Sequence, residues 1–297
     1  MRTPRHARIP SALLVVGLGA GFLAGCDPED NDTEREYELE NFRSGDLFVL
    51  EDGTSVAIPE PGVTVEIVDE LRYGSSRQRV ETRLDGTVVY QPPVFEAPAE
   101  EGDDAFRVAG DDCQYDYFNT NIPFSGPYEY HLNFEKKPNQ VTLTEFVFGV
   151  GAAATSIEHM HNNCGVPDLV NNPTNYVSLT TLAGAPGDGN GQNVIGWSDD
   201  LPPPTLARAF IWSSGGVSVE ADIGFSTQYE WYGEHDPPYG CTDHYSLRGV
   251  ATHELGHVWG LGHARGPTQT MYPTTEPCTT AAYSLSPGDI YGFFDLY

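Results

Sequence analysis

Positive charge is scarce in this chain: 15 lysines and arginines face 43 aspartates and glutamates, a formal net charge of −28 over 297 residues. Phosphates are repelled by such a surface, which excludes general nucleic-acid binding and leaves solubility as the simplest role for the acids. Also missing is an apolar run of the roughly 20 residues that a membrane-spanning helix needs; the run from about Ser11 to Leu23 is too short. Cysteine is sparse, with five residues. Hydrophobic residues are not lacking. At 39% they suffice for a buried core in one to two domains and exclude a disordered chain.

The short apolar run fits an export signal, because Arg2, Arg5 and Arg8 precede it and Leu23-Ala24-Gly25-Cys26 ends it. Small residues ending at a cysteine resemble a bacterial lipobox, which implies cleavage before Cys26 and lipidation there; an ordinary cleaved signal is the alternative. Either reading predicts an exported protein, on the cell surface, facing the periplasm or fully extracellular. A lipid on Cys26 would be its one membrane attachment.

Residues 27–42 read as an acidic tether without apolar period. Residues 43–95 change to short β-branched runs, Asp46–Leu50, Val63–Val68, Arg79–Arg83 and Thr87–Tyr90, the last after the turn pair Asp85-Gly86. This predicts a small β-rich module, either a removable propeptide or a permanent spacer. An acidic, proline-containing linker follows at 96–112. Residues 27–112 hold 24 acids against 7 bases, so the acidity concentrates outside the remaining domain, 113–297. In that domain Tyr128–Phe134, Tyr176–Leu179, Asn193–Trp197, Ala207–Trp212 and Gly216–Phe225 read as strands. Val141 to about His161 has a helical pattern despite Gly149 and Gly151.

The most informative stretch is Val250 to His263. On a helix, His253 and His257 lie four apart on one face and can aim ring nitrogens at one ion. Glu254, offset by one, reaches instead a water in the open position of a catalytic zinc. Gly260 permits a sharp exit from the helix, so the chain can bring His263 back as third ligand. Ser246 is the expected N-cap, and Leu247, Val250, Ala251 and Val258 the core-facing positions. A chance His-Glu-x-x-His on a surface helix is the bland alternative, made less attractive by Gly260, His263 and Met271 together.

These residues resemble the metzincin metallopeptidases, whose pattern is H-E-x-x-H-x-x-G-x-x-H followed by a Met-turn. Among them the chain is most similar to the matrixins, through the step from His263 to Met271, the sequence Thr270-Met271-Tyr272-Pro273 and the closing stretch Leu285–Tyr297. Ala264 departs from the serine usual after the third histidine. The resemblance implies an α+β fold: a twisted, mostly parallel sheet, an antiparallel edge strand, a zinc helix, a Met-turn and a C-terminal helix. Gly216–Phe225 resembles that edge strand, beside which substrate would pair. Met271 would underlie the site without ligating.

Activity follows from the same resemblance: a zinc metalloendopeptidase with one catalytic Zn2+, acting as a monomer on protein or peptide substrates, with Glu254 as general base. The alternative is a latent or non-enzymatic surface lipoprotein that uses the fold to bind a partner. Gly187-Asp188-Gly189-Asn190-Gly191 could wrap Ca2+ or be a plain turn. Arg208 stands where a family ligand histidine of a structural zinc is expected. Cys164-Gly165-Val166-Pro167-Asp168 resembles a cysteine switch, but follows the first strand and helix of the domain. With Cys26 taken by lipid, Cys113, Cys164, Cys241 and Cys278 form an even set, which in an exported protein predicts two disulfides among three connectivities. Cys113 with Cys164 and Cys241 with Cys278 is favoured, the second pair bracing the loops around the zinc helix.

Overall fold

Short β-branched runs punctuated by glycine turns build the first part of the structure, a computed structural model that describes residues 36–96, 117–119, 122–160, 174–233, 236–264 and 266–297. The export signal with Cys26, the 97–112 stretch, Cys113 and the switch-like Cys164–Asp168 segment lie outside the described residues. Strands β1 (Tyr37–Glu38), β2 (Leu47–Val49), β3 (Ser55–Ala57), β4 (Val63–Leu71), β5 (Gly74–Thr82) and β6 (Val88–Glu96) come first. They are followed by β7 (Tyr117–Asn119), β8 (Tyr128–Leu132), helix α1 (Leu143–Glu158), β9 (Thr174–Leu179), β10 (Asn193–Ser198), β11 (Thr205–Ser214) and β12 (Val217–Ser226). Strands β13 (Glu230–Tyr232) and β14 (His244–Ser246), helix α2 (Leu247–Val258), β15 (Leu261–Ala264) and helix α3 (Pro287–Leu296) end the chain.

Nine strands form one sheet in the order β1-β6-β5-β4-β11-β12-β10-β8-β9. Strands β9, β8, β10 and β12 run parallel, β11 runs antiparallel to β12, and β4, β5, β6 and β1 continue the sheet antiparallel. Over the whole sheet antiparallel pairings therefore outnumber parallel ones. The parallel character is confined to the β9-β8-β10-β12 side.

The expected edge strand needs a correction. All of Gly216–Phe225 but its first residue falls in β12, which lies inside the sheet between β10 and β11. Gly215 and Gly216, at φ +61° and +83°, turn the chain back so that β11 is the outer member of this hairpin. Strand periodicity identifies a strand but not its neighbours, and β11 in turn is covered by β4.

Helix α1 begins with a capping box: Glu145 N donates to Thr142 Oγ1 and Thr142 N to Glu145 Oε2. Its buried face, Phe146, Val150, Ala153, Ala154 and Ile157, follows the helical period. Gly149 belongs here because α1 crosses α2 at this point; a Cβ on it would stand 3.2 Å from Leu247 Cδ2. The main core joins α1, α2 and α3 to Ala207, Ala209 and Ile211 of β11 and to β8, β10 and β12. On the opposite face Phe210 and Trp212 of β11 pack with Phe48, Val65, Ile67, Val80 and Tyr90. Each large apolar side chain buried there contributes on the order of 2 kcal/mol, so the N-terminal strands are held to β11 by packing as well as by hydrogen bonds.

Candidate metal centre

Ser246 caps α2 as its sequence suggests, its Oγ accepting from Gly249 N at 3.0 Å. His253 and His257 then project from one face. After Trp259 the chain leaves the helix at Gly260, whose φ of +98° and whose close approach to the Ile122 carbonyl both demand a residue without Cβ. Strand β15 carries His263 back to the other two. The Nε2 atom of His257 lies 3.1 Å from Nε2 of His253 and 3.1 Å from Nε2 of His263.

The Nδ1 atoms decide what those Nε2 atoms are. His253 Nδ1 donates to Thr270 O and His257 Nδ1 to Leu261 O, both at 2.8 Å; a carbonyl can only accept, so each ring carries a proton on Nδ1, and its neutral form presents a lone pair at Nε2. His263 Nδ1 meets Ser75 Oγ at 3.0 Å. The three side chains are 0%, 1% and 3% exposed. Burial, and then the neighbouring histidines, hold His257 well below the usual histidine range, and burial followed by His253 and Arg77 does the same to His263. Neutral lone pairs crowded together out of water repel one another unless a cation sits among them. The donor set, three imidazoles, suits Zn2+.

Glu254 is a second feature that suits a cation at this place. Its carboxylate is fully buried, and neither oxygen has a hydrogen-bond partner. Burial raises its proton affinity well above the usual carboxylate range, with the charges of Glu70 and Asp69 adding to the effect. Glu70, on β4, is also fully buried; Thr275 Oγ1 donates to its Oε1, while Oε2 is unpartnered.

Beneath the histidines lies Met271, fully buried against α2 at Gly256, where any Cβ would overlap its sulfur. Asp289 fixes this turn from α3: its carboxylate accepts from Thr270 N at 2.8 Å, Met271 N at 3.2 Å and Ser286 N at 2.9 Å. Because Thr270 O receives His253 Nδ1, Asp289 orients His253 at one remove. Cys241 and Cys278 are joined, and Cys278 N donates to His244 O, tying the segment before α2 to the segment after Met271.

His253, Glu254, His257, His263 and Met271 thus come together as a sequence reading expects, while Cys26, Cys113 and Cys164 lie outside the described residues. The glycine-rich 187–191 turn is elsewhere, closed by Asp188 Oδ2 accepting from Ala185 N, Asn190 Oδ1 from Gln192 N, and Asp222 from Gly187 N and Val194 N. Arg208 points away from any ligand role, ion-paired to Asp52 and Asp69. Sequence reasoning missed Glu70, Ser75, Thr275 and Asp289. Only Asp289 has a local signal, the capping pattern Ser286-Pro287-Gly288-Asp289.

Residues 186–297 match the family model described as Matrixin, Peptidase_M10. Matrilysin of Felis catus is 32% identical over 133 residues, covering 45% of this chain and 42% of the relative. Matrilysin of Homo sapiens is 37% identical over 103 residues, and that of Rattus norvegicus 36% over 98 residues, each covering 33% of both chains. The chain thus spans from a third to about two fifths of the length of these relatives. The family match takes in β10 to α3, with all three histidines and Glu254; Glu70 and Ser75 fall outside it.

Proposed function

We propose that this protein is a zinc-dependent metalloendopeptidase, with His253, His257 and His263 holding one zinc ion and Glu254 acting as general base. The carrying observation is the convergence of three buried imidazole nitrogens, at least two of them tautomerically fixed as bare lone pairs, beside a buried carboxylate without a partner. The matrixin match over the same residues supports the same chemistry.

Zinc bound there supplies Lewis acidity to the scissile carbonyl and the attacking water. Glu254 takes the proton of that water and passes it to the leaving amine, so no covalent enzyme intermediate is required. The Nδ1 bonds to Thr270 O and Leu261 O hold two rings in their ligating orientation. Met271 forms the floor and does not ligate. A zinc held only as scaffold needs the histidines but not Glu254, and an unpartnered buried carboxylate costs stability; its retention favours catalysis over simple partner binding. The protein is exported by its N-terminal signal, with Cys26 as lipid attachment point, and works as a monomer on protein or peptide substrates. A Ca2+ is taken at the 187–191 turn, a reading supported by Glu220 Oε1, which is buried beside that turn without a hydrogen-bond partner.

Metal analysis tests the core of this reading. One zinc per chain is expected, with alanine at His253, His257 or His263 each abolishing it and any peptide hydrolysis being stopped by a chelator. Zinc content indifferent to all three substitutions, or hydrolysis indifferent to the chelator, would sink it.

A further inference from the structure

We propose that the β4–β5 hairpin is a built-in occupant of the peptidase cleft, so that the chain as folded is a latent form, latched by Arg208. This rests on the peptidase reading of the metal centre. Strand β11 is the outer strand of the β9-β8-β10-β12-β11 set, and its free edge is where an extended peptide would add as a further strand. Here β4 takes that place, antiparallel, from Leu71 opposite Thr205 to Thr64 opposite Ser213.

The end of the hairpin reaches the chemistry. Glu70 and Ser75 face each other across β4 and β5, two residues from the turn at Arg72-Tyr73. Ser75 Oγ contacts the third histidine at 3.0 Å. Glu70 accepts from Thr275 Oγ1, four residues beyond Met271, and its charge adds to the raised proton affinity of Glu254. One hairpin residue therefore stands on His263 and the other is bonded to the segment that follows Met271. With the hairpin in place Glu254 has no exposed surface, and a centre that must admit an extended peptide is closed.

Arg208 holds the closure. It lies on β11, directly opposite Asp69 of β4, and is fully buried. Both of its carboxylate partners, Asp69 and Asp52, come from the N-terminal strands and their turn; Arg208 also reaches Asp69 Oδ2 at 3.0 Å, an oxygen that Ser76 Oγ shares at 2.8 Å. Removing the partner of a buried cation leaves an uncompensated charge, whereas lifting the hairpin returns that cation to water. Neutralising the two aspartates therefore destabilises the closed form selectively.

The test uses the full-length zinc-loaded chain, as wild type and as Asp52→Asn with Asp69→Asn, with Asp52→Asn alone as the milder variant should the pair fail to fold. Three readouts are taken together: hydrogen exchange of β4 and β11 amides, the rate at which a chelator extracts zinc, and hydrolysis of a mixed peptide library. Exchange in both strands should speed up, and zinc extraction and hydrolysis should each rise at least about tenfold in the double variant, less in the single one. Wild type that hydrolyses peptides as fast as a variant whose β4–β11 amides have opened would overturn latency, with the peptidase reading intact. Folded variants that neither open nor release zinc faster would overturn the latch. Opening and faster zinc release without hydrolysis would instead count against the peptidase reading.

Discussion

Gly256 and Met271 are in direct contact beneath the metal centre, with no room for a Cβ between the helix backbone and the methionine sulfur. Gly256 lies between Glu254 and His257, so a side chain added here would displace either Met271 or the histidines. Gly256→Ala should lower stability by about 1–3 kcal/mol, the usual range for overpacking a filled core, despite the better helix propensity of alanine. Zinc should be held less tightly as well. Met271→Leu, which nearly conserves volume, should cost less than about 1.5 kcal/mol and leave zinc in place. Urea titrations with parallel metal analysis separate the two; an unperturbed Gly256→Ala protein would mean that the contact relaxes freely.

The centre was legible in the sequence where its geometry is local. His253 and His257 are one helical turn apart, Glu254 and Gly260 belong to the same segment, and Ser246 is a sequence-adjacent cap, so spacing alone specifies most of the site. What closes the site comes from far away. Ser75 is 188 residues from His263 and Asp69 is 139 from Arg208. Both pairs exist only because β4 chooses β11 as its neighbour, a choice that a two-residue period does not encode. The same limit misassigned the edge strand. Arg208 shows in the sequence only as a lone cation in a strand; its two carboxylate partners become visible only in the sheet.

The disulfide between Cys241 and Cys278 closes a separation of 37 residues around α2. On a chain-entropy estimate such a loop stabilises the fold by up to about 4 kcal/mol. Replacing both cysteines with serine should lower the urea midpoint accordingly, and amide exchange should increase most in β14 and in the residues after Met271. A double variant with wild-type stability would show that the bridge only tethers segments already held by Cys278 N on His244 O.

Glu220 and Asp222 supply a pH-dependent prediction. Burial raises both carboxyls above their ordinary values; the charge of Glu220 adds to the rise of Asp222, and that of Asp188, in the 187–191 turn, adds to both. An acid whose folded pKa lies above its unfolded one binds more protons in the native state. Its contribution to stability is therefore greatest in acid and is lost as pH rises from the unfolded value through the folded one. With divalent cations chelated, Glu220→Gln should flatten that part of the stability profile and raise the melting temperature at neutral pH. If the turn takes Ca2+, adding the ion should stabilise wild type and do little for the variant. Identical pH profiles for the two proteins would show that Glu220 carries no such strain.

Glu254→Gln separates chemistry from architecture most cleanly. The substitution keeps size and removes the basic oxygen, and no hydrogen bond of the fold depends on that carboxylate. Zinc content should be unchanged. Melting temperature should stay level or rise, because a buried carboxylate with a strongly raised proton affinity is replaced by a neutral amide. Hydrolysis should fall by about 10²–10⁴, the range that a positioned general base supplies, towards the upper end since the same group also delivers the proton to the leaving nitrogen. The measurement belongs in the Asp52→Asn, Asp69→Asn background as well as in the unmodified chain, so that loss of the base is read against an accessible cleft. Turnover that survives Glu254→Gln there would reassign the base to another group. A fall in zinc content would mean that the carboxylate acts on the metal site itself and not on the substrate water.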